Sequence, residues 1–342
     1  MNAVYFEKHG GLEVLKYGEL PTPKVRAGEV LVRVEAGALN HLDLWVRMGL
    51  GISVPMPHVL GSEIAGTIEV LGAGVSGWKR GDRVLVAPGV SCGACSACRS
   101  GHDSRCPSFQ IIGFQRNGGY ATHAVVPSAN LIAISDALSY EEWAATPLVF
   151  LTAWHMLMTR AALKPGETVL VHAAGSGVGS AAIQVAKLAG ARVFATASTK
   201  AKLAMAKRLG ADEAIDYTEG DFAQAARDLT GGRGVDVVLE HIGQQTWTGS
   251  LTALVRGGRL VTCGATSGPK VEIDLRHFFT RELSVVGCYM GGRAELDRVL
   301  ELVGQGRLKP VVDAVMPLKE AARAQARMEG RWQFGKIVLK PS

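Results

Sequence analysis

Short apolar runs broken by glycine and proline fill the first 125 residues, as in 29–37 (EVLVRVEAG) and 82–89 (DRVLVAPG). Runs of this length with such punctuation predict strands. Turns are expected at Gly28, Gly37, Gly61, Gly66, Gly72, Gly77 and Gly81, which makes the segment an irregular, barrel-like β domain. From about residue 140 the pattern changes. Residues 140–160 read as helix, interrupted at Pro147 and restarted beyond it. Strands are then predicted at 167–173, 191–197, 213–217, 235–243, 258–264 and 283–290, with helices at 179–189, 200–209 and 247–254. Strands alternating with helices of this length predict a doubly wound parallel sheet. A helix at 293–303 and a strand at 335–340 (GKIVLK) are expected to return to the β domain.

The chain has 342 residues, and a single hydrophobic core rarely exceeds about 250–300. Two domains are therefore expected, one from 1–127 with 291–342 and one from 128–290. Apolar residues at 47% and charged residues at 20% exclude a disordered chain. The 42 glycines follow no three-residue period, which excludes collagen. The net charge of +6 is scattered, with no basic stripe or recognition motif to support nucleic-acid binding. The opening residues MNAVYFEKHGG lack the apolar core of a secretory signal, and 168–186 reads as strand, turn and helix start, not a membrane span. A cytoplasmic location is expected, with no membrane partner.

Two local motifs carry chemistry. The strand 167–173 runs into AGSGVGS and then an amphipathic helix. A glycine-rich turn opening a helix points backbone N–H groups and the helix dipole at a pyrophosphate. GxGxxG fits in two registers, starting at Gly175 or at Ala174. The second is preferred because it puts Gly179 where helix and strand pack closest. Ser176, Gly177, Val178 and Gly179 are then the candidate pyrophosphate contacts, with a purely structural helix-entry turn as the alternative. At the end of the next strand, an acid would grip the ribose hydroxyl of NAD. Residues 196–202 (TASTKAK) contain none, and Ser198 with a lysine suits a 2′-phosphate. NADP(H) is therefore expected, unless the lysines merely form a solvated helix face. The second motif is Cys92-x2-Cys95-x2-Cys98-x7-Cys106, in a polar lobe at about 89–107. Four thiolates at this spacing close a tetrahedral zinc site with no open position, so one structural zinc is expected. Disulfides and an iron–sulfur cluster are the less favoured readings.

With these motifs in hand, the chain resembles the medium-chain dehydrogenase/reductase superfamily over nearly its whole length. Gly61-Ser62-Glu63-x2-Gly66-x5-Gly72-x2-Val75 resembles the zinc alcohol dehydrogenase signature GHExxGxxxxxGxxV, with Ser62 in place of histidine. The run from Gly166 to Lys187 resembles the quinone oxidoreductase signature and departs from it only at Ser176. The resemblance implies an α/β fold, a GroES-like irregular β-barrel catalytic domain plus a Rossmann domain. It places the three catalytic-zinc ligand positions at Asn40, Ser62 and Leu148, which cannot hold zinc, so no catalytic zinc is expected. Glu63 and Asp43 remain as structural carboxylates. It also implies that Lys202 and Tyr217 lie near a 2′-phosphate and that Thr152 lies near the nicotinamide; it offers His41 as a pyrophosphate contact, with a surface or core histidine as the alternative. His241, Cys263 and Gly264 would flank the nicotinamide side.

Alcohol oxidation needs a Lewis acid or a strong base. Reduction of a quinone or an α,β-unsaturated carbonyl needs chiefly positioning and donors for the developing oxyanion. Asn40 is the candidate donor and Trp45 a candidate stacking surface, with a capping residue and plain core as their respective alternatives. The expected activity is hydride transfer from NADPH to a small electrophile. An alcohol or aldehyde dehydrogenase is the second reading, and a non-catalytic NADPH-binding protein the third. The run 283–290 is expected to form an edge strand that pairs across a two-fold, giving a homodimer or homotetramer.

Overall fold

The computed structural model describes residues 1–49 and 53–341. It divides into two compact units, Met1–Leu148 with Gly292–Ser342, and Val149–Gly291.

The first unit is built on the strand Glu29–Ala38, whose apolar alternation buries Val30, Val32 and Val34. In its seven-stranded sheet the order is Leu131–Ala133, Arg83–Val86, Glu63–Leu71, Glu29–Ala38, Lys336–Lys340, Val312–Pro317, with His123–Pro127 also paired to Glu29–Ala38. Valines and isoleucines of these strands form one core; Phe6, Leu44, Leu60, Tyr120 and Ile337 belong to a second. The tail 292–342 thus completes this unit's sheet. The chain changes units after Leu148, some twenty residues past the expected 127/128 boundary. The reason is that Leu131–Ala133 still pairs with Arg83–Val86.

Two of the glycines expected in turns lie inside strands. Gly37 belongs to Glu29–Ala38 and Gly66 to Glu63–Leu71. A Cβ on Gly66 would sit 2.0 Å from the Arg33 carbonyl oxygen, near a register irregularity between the two strands. Close backbone approach, not turn geometry, is what requires glycine there. The sequence pattern also hid a helix, His41–Met48. The Asp43 carboxylate accepts the Asn40 backbone N–H at its start (2.7 Å), and Gly49 ends it in the left-handed region (φ 71°).

The second unit holds a six-stranded parallel sheet in the order Glu213–Asp216, Arg192–Ala197, Thr168–Val171, Val235–Glu240, Leu254–Thr262, Ser284–Gly287. Thr168–Val171 is buried throughout, as a sheet covered on both faces demands. The strand order reverses between Thr168–Val171 and Val235–Glu240, and ligands of such sheets bind at the carboxyl ends beside that point. Among the described residues, no helix is long and apolar enough to cross a membrane.

Gly66→Ala is predicted to cost about 2–4 kcal/mol, because the obstacle is backbone and cannot rotate away. Gly220→Ala, where an added Cβ meets nothing within 4 Å, should change stability by no more than about 0.5 kcal/mol. Urea midpoints of the two variants check both.

Candidate active site

A buried polar cluster of the first unit surrounds Glu63, at the start of its strand. The Glu63 Oε2 atom lies 2.6 Å from Lys336 Nζ and accepts from Asn40 Nδ2 at 2.9 Å; its Oε1 accepts the Leu148 backbone N–H at 2.7 Å. Lys336 also donates to Asn40 Oδ1 (2.6 Å) and to the Leu39 carbonyl. Glu63 and Lys336 are both buried, 0% and 3% exposed, so each charge depends on the other. One step away, Asp43 accepts from Asn40 N, Gly61 N (3.2 Å) and the Tyr120 hydroxyl (2.9 Å). Burial pushes the Asp43 carboxyl up to about 6 despite those donors, and burial beside it raises the Tyr120 phenol.

Asn40 therefore does not cap its helix through its side chain; the amide faces Lys336 and Glu63. The positions resembling catalytic-zinc ligands are an amide, a hydroxyl and an aliphatic chain. Ser62 Oγ is buried with no hydrogen-bond partner, while Leu148 is engaged through its backbone. These residues do not fit a zinc ion, and no other set of three or more His, Cys, Asp or Glu gathers there among the described residues. His41 opens the helix, and its ring centroid is 6.4 Å from that of Trp45; both side chains are half-buried.

The cysteine lobe does fit a metal. The four sulfurs of Cys92, Cys95, Cys98 and Cys106 all lie within 4.8 Å of one another, with Cys95–Cys98 at 3.5 Å and Cys92–Cys98 at 3.9 Å. Zinc–sulfur bonds of about 2.3 Å in a tetrahedron need separations near these. Backbone N–H groups of Ala94 and Cys95 aimed at Cys92 hold its thiol down at about 6, which favours the thiolate.

In the second unit, Ser176 caps the helix Gly177–Leu188 by accepting the Gly179 N–H (2.8 Å). A Cβ on Gly179 would sit 2.2 Å from the Ala173 carbonyl oxygen, so glycine is required where strand and helix meet. The first helical N–H groups are thereby left at the carboxyl end of the sheet, as an anion cradle requires. Beyond Ala197, Ser198 precedes the cap residue Thr199, and Lys202 lies in the first turn of the following helix. The Tyr217 N–H donates to the Ala197 carbonyl (3.3 Å), which puts its exposed side chain at the same sheet end. Asp216, paired with Ala197, is held by Thr218 N and Oγ1. Cys263 and Gly264 follow the strand Leu254–Thr262, and burial pushes the Cys263 thiol up to about 12. Thr152 is buried in the helix Pro147–Trp154.

Sequence reasoning missed two elements. Lys336 begins an apolar strand and gives no local signal of its partners. The other is a network beneath the sheet end. Glu240 accepts from Ile242 N, Gly243 N, Thr246 Oγ1 and Ser250 Oγ, four donors that favour its charged form against burial. Ser250 gives its proton to Glu240 and so accepts from His172 Nε2 (2.9 Å). The His172 Nδ1 atom is left to accept from Thr196 Oγ1 (3.3 Å). His241 Nε2 donates to the His172 carbonyl (3.1 Å). Burial holds His172 well below the usual imidazole range, neutral in the fold.

A histidine whose folded pKa is depressed binds protons preferentially in the unfolded state. Its contribution is complete above about pH 6.5 and is lost as pH falls toward the folded value. Urea unfolding at pH 7 and pH 5 should therefore show a larger acid loss for the wild type than for His172→Gln. In the lobe, Cys98→Ser should lower bound zinc well below one per chain and open residues 89–107 to proteolysis, read by elemental analysis and mass spectrometry.

Comparison with known proteins agrees with this geometry. Residues 26–136 match the family model described as the alcohol dehydrogenase GroES-like domain, and 177–305 match that of zinc-binding dehydrogenases. An NAD-dependent alcohol dehydrogenase of Sulfolobus acidocaldarius is 33% identical, with 99% of each chain covered. A quinone oxidoreductase of Pseudomonas aeruginosa is 32% identical, again over 99% of each. A crystal structure titled NAD-dependent alcohol dehydrogenase superposes with a TM-score of 0.96 at 47% identity, covering 99% of both chains. With both domains matched and full-length relatives of this identity, the chain belongs to the medium-chain dehydrogenase/reductase superfamily and is an NAD(P)-dependent oxidoreductase.

Proposed function

We propose that the protein reduces a quinone or an α,β-unsaturated carbonyl with NADPH and does so without a catalytic zinc. The observation that carries this reading is the Glu63 cluster: Asn40, Ser62 and Leu148 offer no ligand set, and a lysine ammonium is bonded into it. Alkoxide formation from an alcohol has no Lewis acid to lean on there. Reduction of an activated double bond has a simpler need, a donor for the oxyanion that develops on the carbonyl. The Asn40 amide supplies it, and Trp45 offers a flat surface to a planar substrate. The last proton comes from water.

Ser176, Gly177, Val178 and Gly179 would hold the pyrophosphate of NADPH, with His41 as a further contact. Ser198, Lys202 and Tyr217 would hold its 2′-phosphate. Thr152, His241, Cys263 and Gly264 would line the nicotinamide side. The bound nicotinamide supplies the hydride. Cys92, Cys95, Cys98 and Cys106 would hold one structural zinc. The strand Ser284–Gly287 is an edge of its sheet and carries the exposed Val285, which supports pairing between two copies. The second reading, an alcohol or aldehyde dehydrogenase, is supported by the names of relatives at similar identity.

The test is oxidation of NADPH with a panel of quinones and enones, set against reduction of NADP⁺ and NAD⁺ with alcohols. Enone- or quinone-dependent turnover is expected, with none from alcohols; the reverse would favour the second reading. Lys202→Ala should raise KM for NADPH about tenfold, the loss of one exposed charge-assisted contact, and leave KM for NADH within about twofold.

A further inference from the structure

We propose that Lys336 and Glu63 are positioning residues that lock and polarise the Asn40 side-chain amide, leaving one N–H to meet the substrate carbonyl oxygen. The catalytic half of this proposal rests on the reductase reading above; the lock itself is a property of the free protein.

An asparagine amide has two near-isosteric ends, and on a surface either end can face a partner. Here the partners permit one orientation. Lys336 can only donate, and it does so to Leu39 O, Asn40 Oδ1 and Glu63 Oε2, three acceptors for three protons. An ionised Glu63 can only accept, and takes Leu148 N on one oxygen and Asn40 Nδ2 with Lys336 Nζ on the other. Flipping the amide would press its NH2 against the ammonium and its oxygen against the carboxylate, two repulsive contacts at hydrogen-bond distance. A serine or glutamine in either place both donates and accepts, and would not discriminate.

The backbone end is fixed as well. Asn40 N is bonded to Asp43, which Gly61 N and the Tyr120 hydroxyl hold in turn. The amide has two N–H bonds and Glu63 takes one. The second has no acceptor within the first unit among the described residues. A cation on the amide oxygen draws electron density from the nitrogen, which strengthens that remaining donor. The field is in place before any charge develops on the substrate, as electrostatic preorganisation requires.

The experiment compares Asn40→Ala, Lys336→Arg and the double variant Lys336→Met/Glu63→Gln, which removes both charges together and strands neither. It then adds Asn40→Ala to that double variant. Circular dichroism and NADPH binding by fluorescence establish that each variant is folded. Asn40→Ala should lower kcat with an enone about 100-fold, the usual cost of one oxyanion donor. Lys336→Met/Glu63→Gln should lose nearly as much with KM for NADPH unchanged, and adding Asn40→Ala should cost less than about twofold more. Lys336→Arg, still a donor-only cation, should retain kcat within about tenfold.

A readout independent of turnover is the side-chain ¹⁵N–¹H pair of Asn40, assigned through Asn40→Ala. Its two proton shifts should be widely separated in the wild type and collapse toward free-amide values in Lys336→Met/Glu63→Gln. Wild-type shifts in that variant, or losses in kcat that multiply independently, would overturn the proposal. If the collapse occurs but no enone or quinone is reduced by the wild type, the lock stands and the reductase reading falls.

Discussion

The first unit depends on one buried ion pair, Lys336 with Glu63. Removing two charges from water costs several kcal/mol each, so such a pair persists only where every remaining hydrogen-bonding site is filled. Here the ammonium has three acceptors for its three protons, and both carboxylate oxygens are engaged, by the ammonium, a backbone N–H and an amide N–H. The condition constrains much else. It fixes where the strand Lys336–Lys340 lies against Glu29–Ala38, where Val338 pairs with Ala38 and Leu339 with Gly37. It also fixes the residue just before the helix His41–Met48, because Asn40 is bonded into the pair through its side chain and to Asp43 through its backbone.

The same constraint bears on the chemistry. A dehydrogenase that activates an alcohol at zinc needs three protein ligands and an open position. The chain places an amide, an unpartnered hydroxyl and a leucine at those positions. On the proposed reading, what remains is a preorganised donor beside a fixed ion pair, suited to a substrate that already carries an electrophilic carbon. On the same reading, metal is held only in the lobe, where four sulfurs close on one another and leave no open position. There it would brace a polar loop with little apolar surface of its own.

Legibility followed sequence distance. The cysteine spacing and the glycine turn are local, and both were readable because their partners lie within about fifteen residues. The choice of register came from Gly179, and the close approach to the Ala173 carbonyl agrees with it. The parallel sheet was legible from alternation alone. Lys336 was not: its partners are nearly three hundred residues away, and a lysine opening an apolar strand looks like a solvated strand end. Gly37 and Gly66 were misread because glycine in a strand and glycine in a turn look alike until the crossing carbonyl is known. The helix His41–Met48 escaped because Asp43 supplies its cap from within, and the strand Val312–Pro317 because its short run is broken by charge. The Glu240 network was missed because His172, which donates to Ser250, follows another strand 78 residues earlier in the chain.

On the proposed reading, hydride transfer proceeds with metal in the lobe alone. The most direct measurement is zinc per chain on the preparation that turns over, before and after dialysis against a chelator. One zinc per chain, with turnover unchanged while that zinc stays bound, is the predicted result. A second zinc whose removal abolishes turnover while the first stays in place would place the chemistry at a metal outside the lobe and overturn that reading.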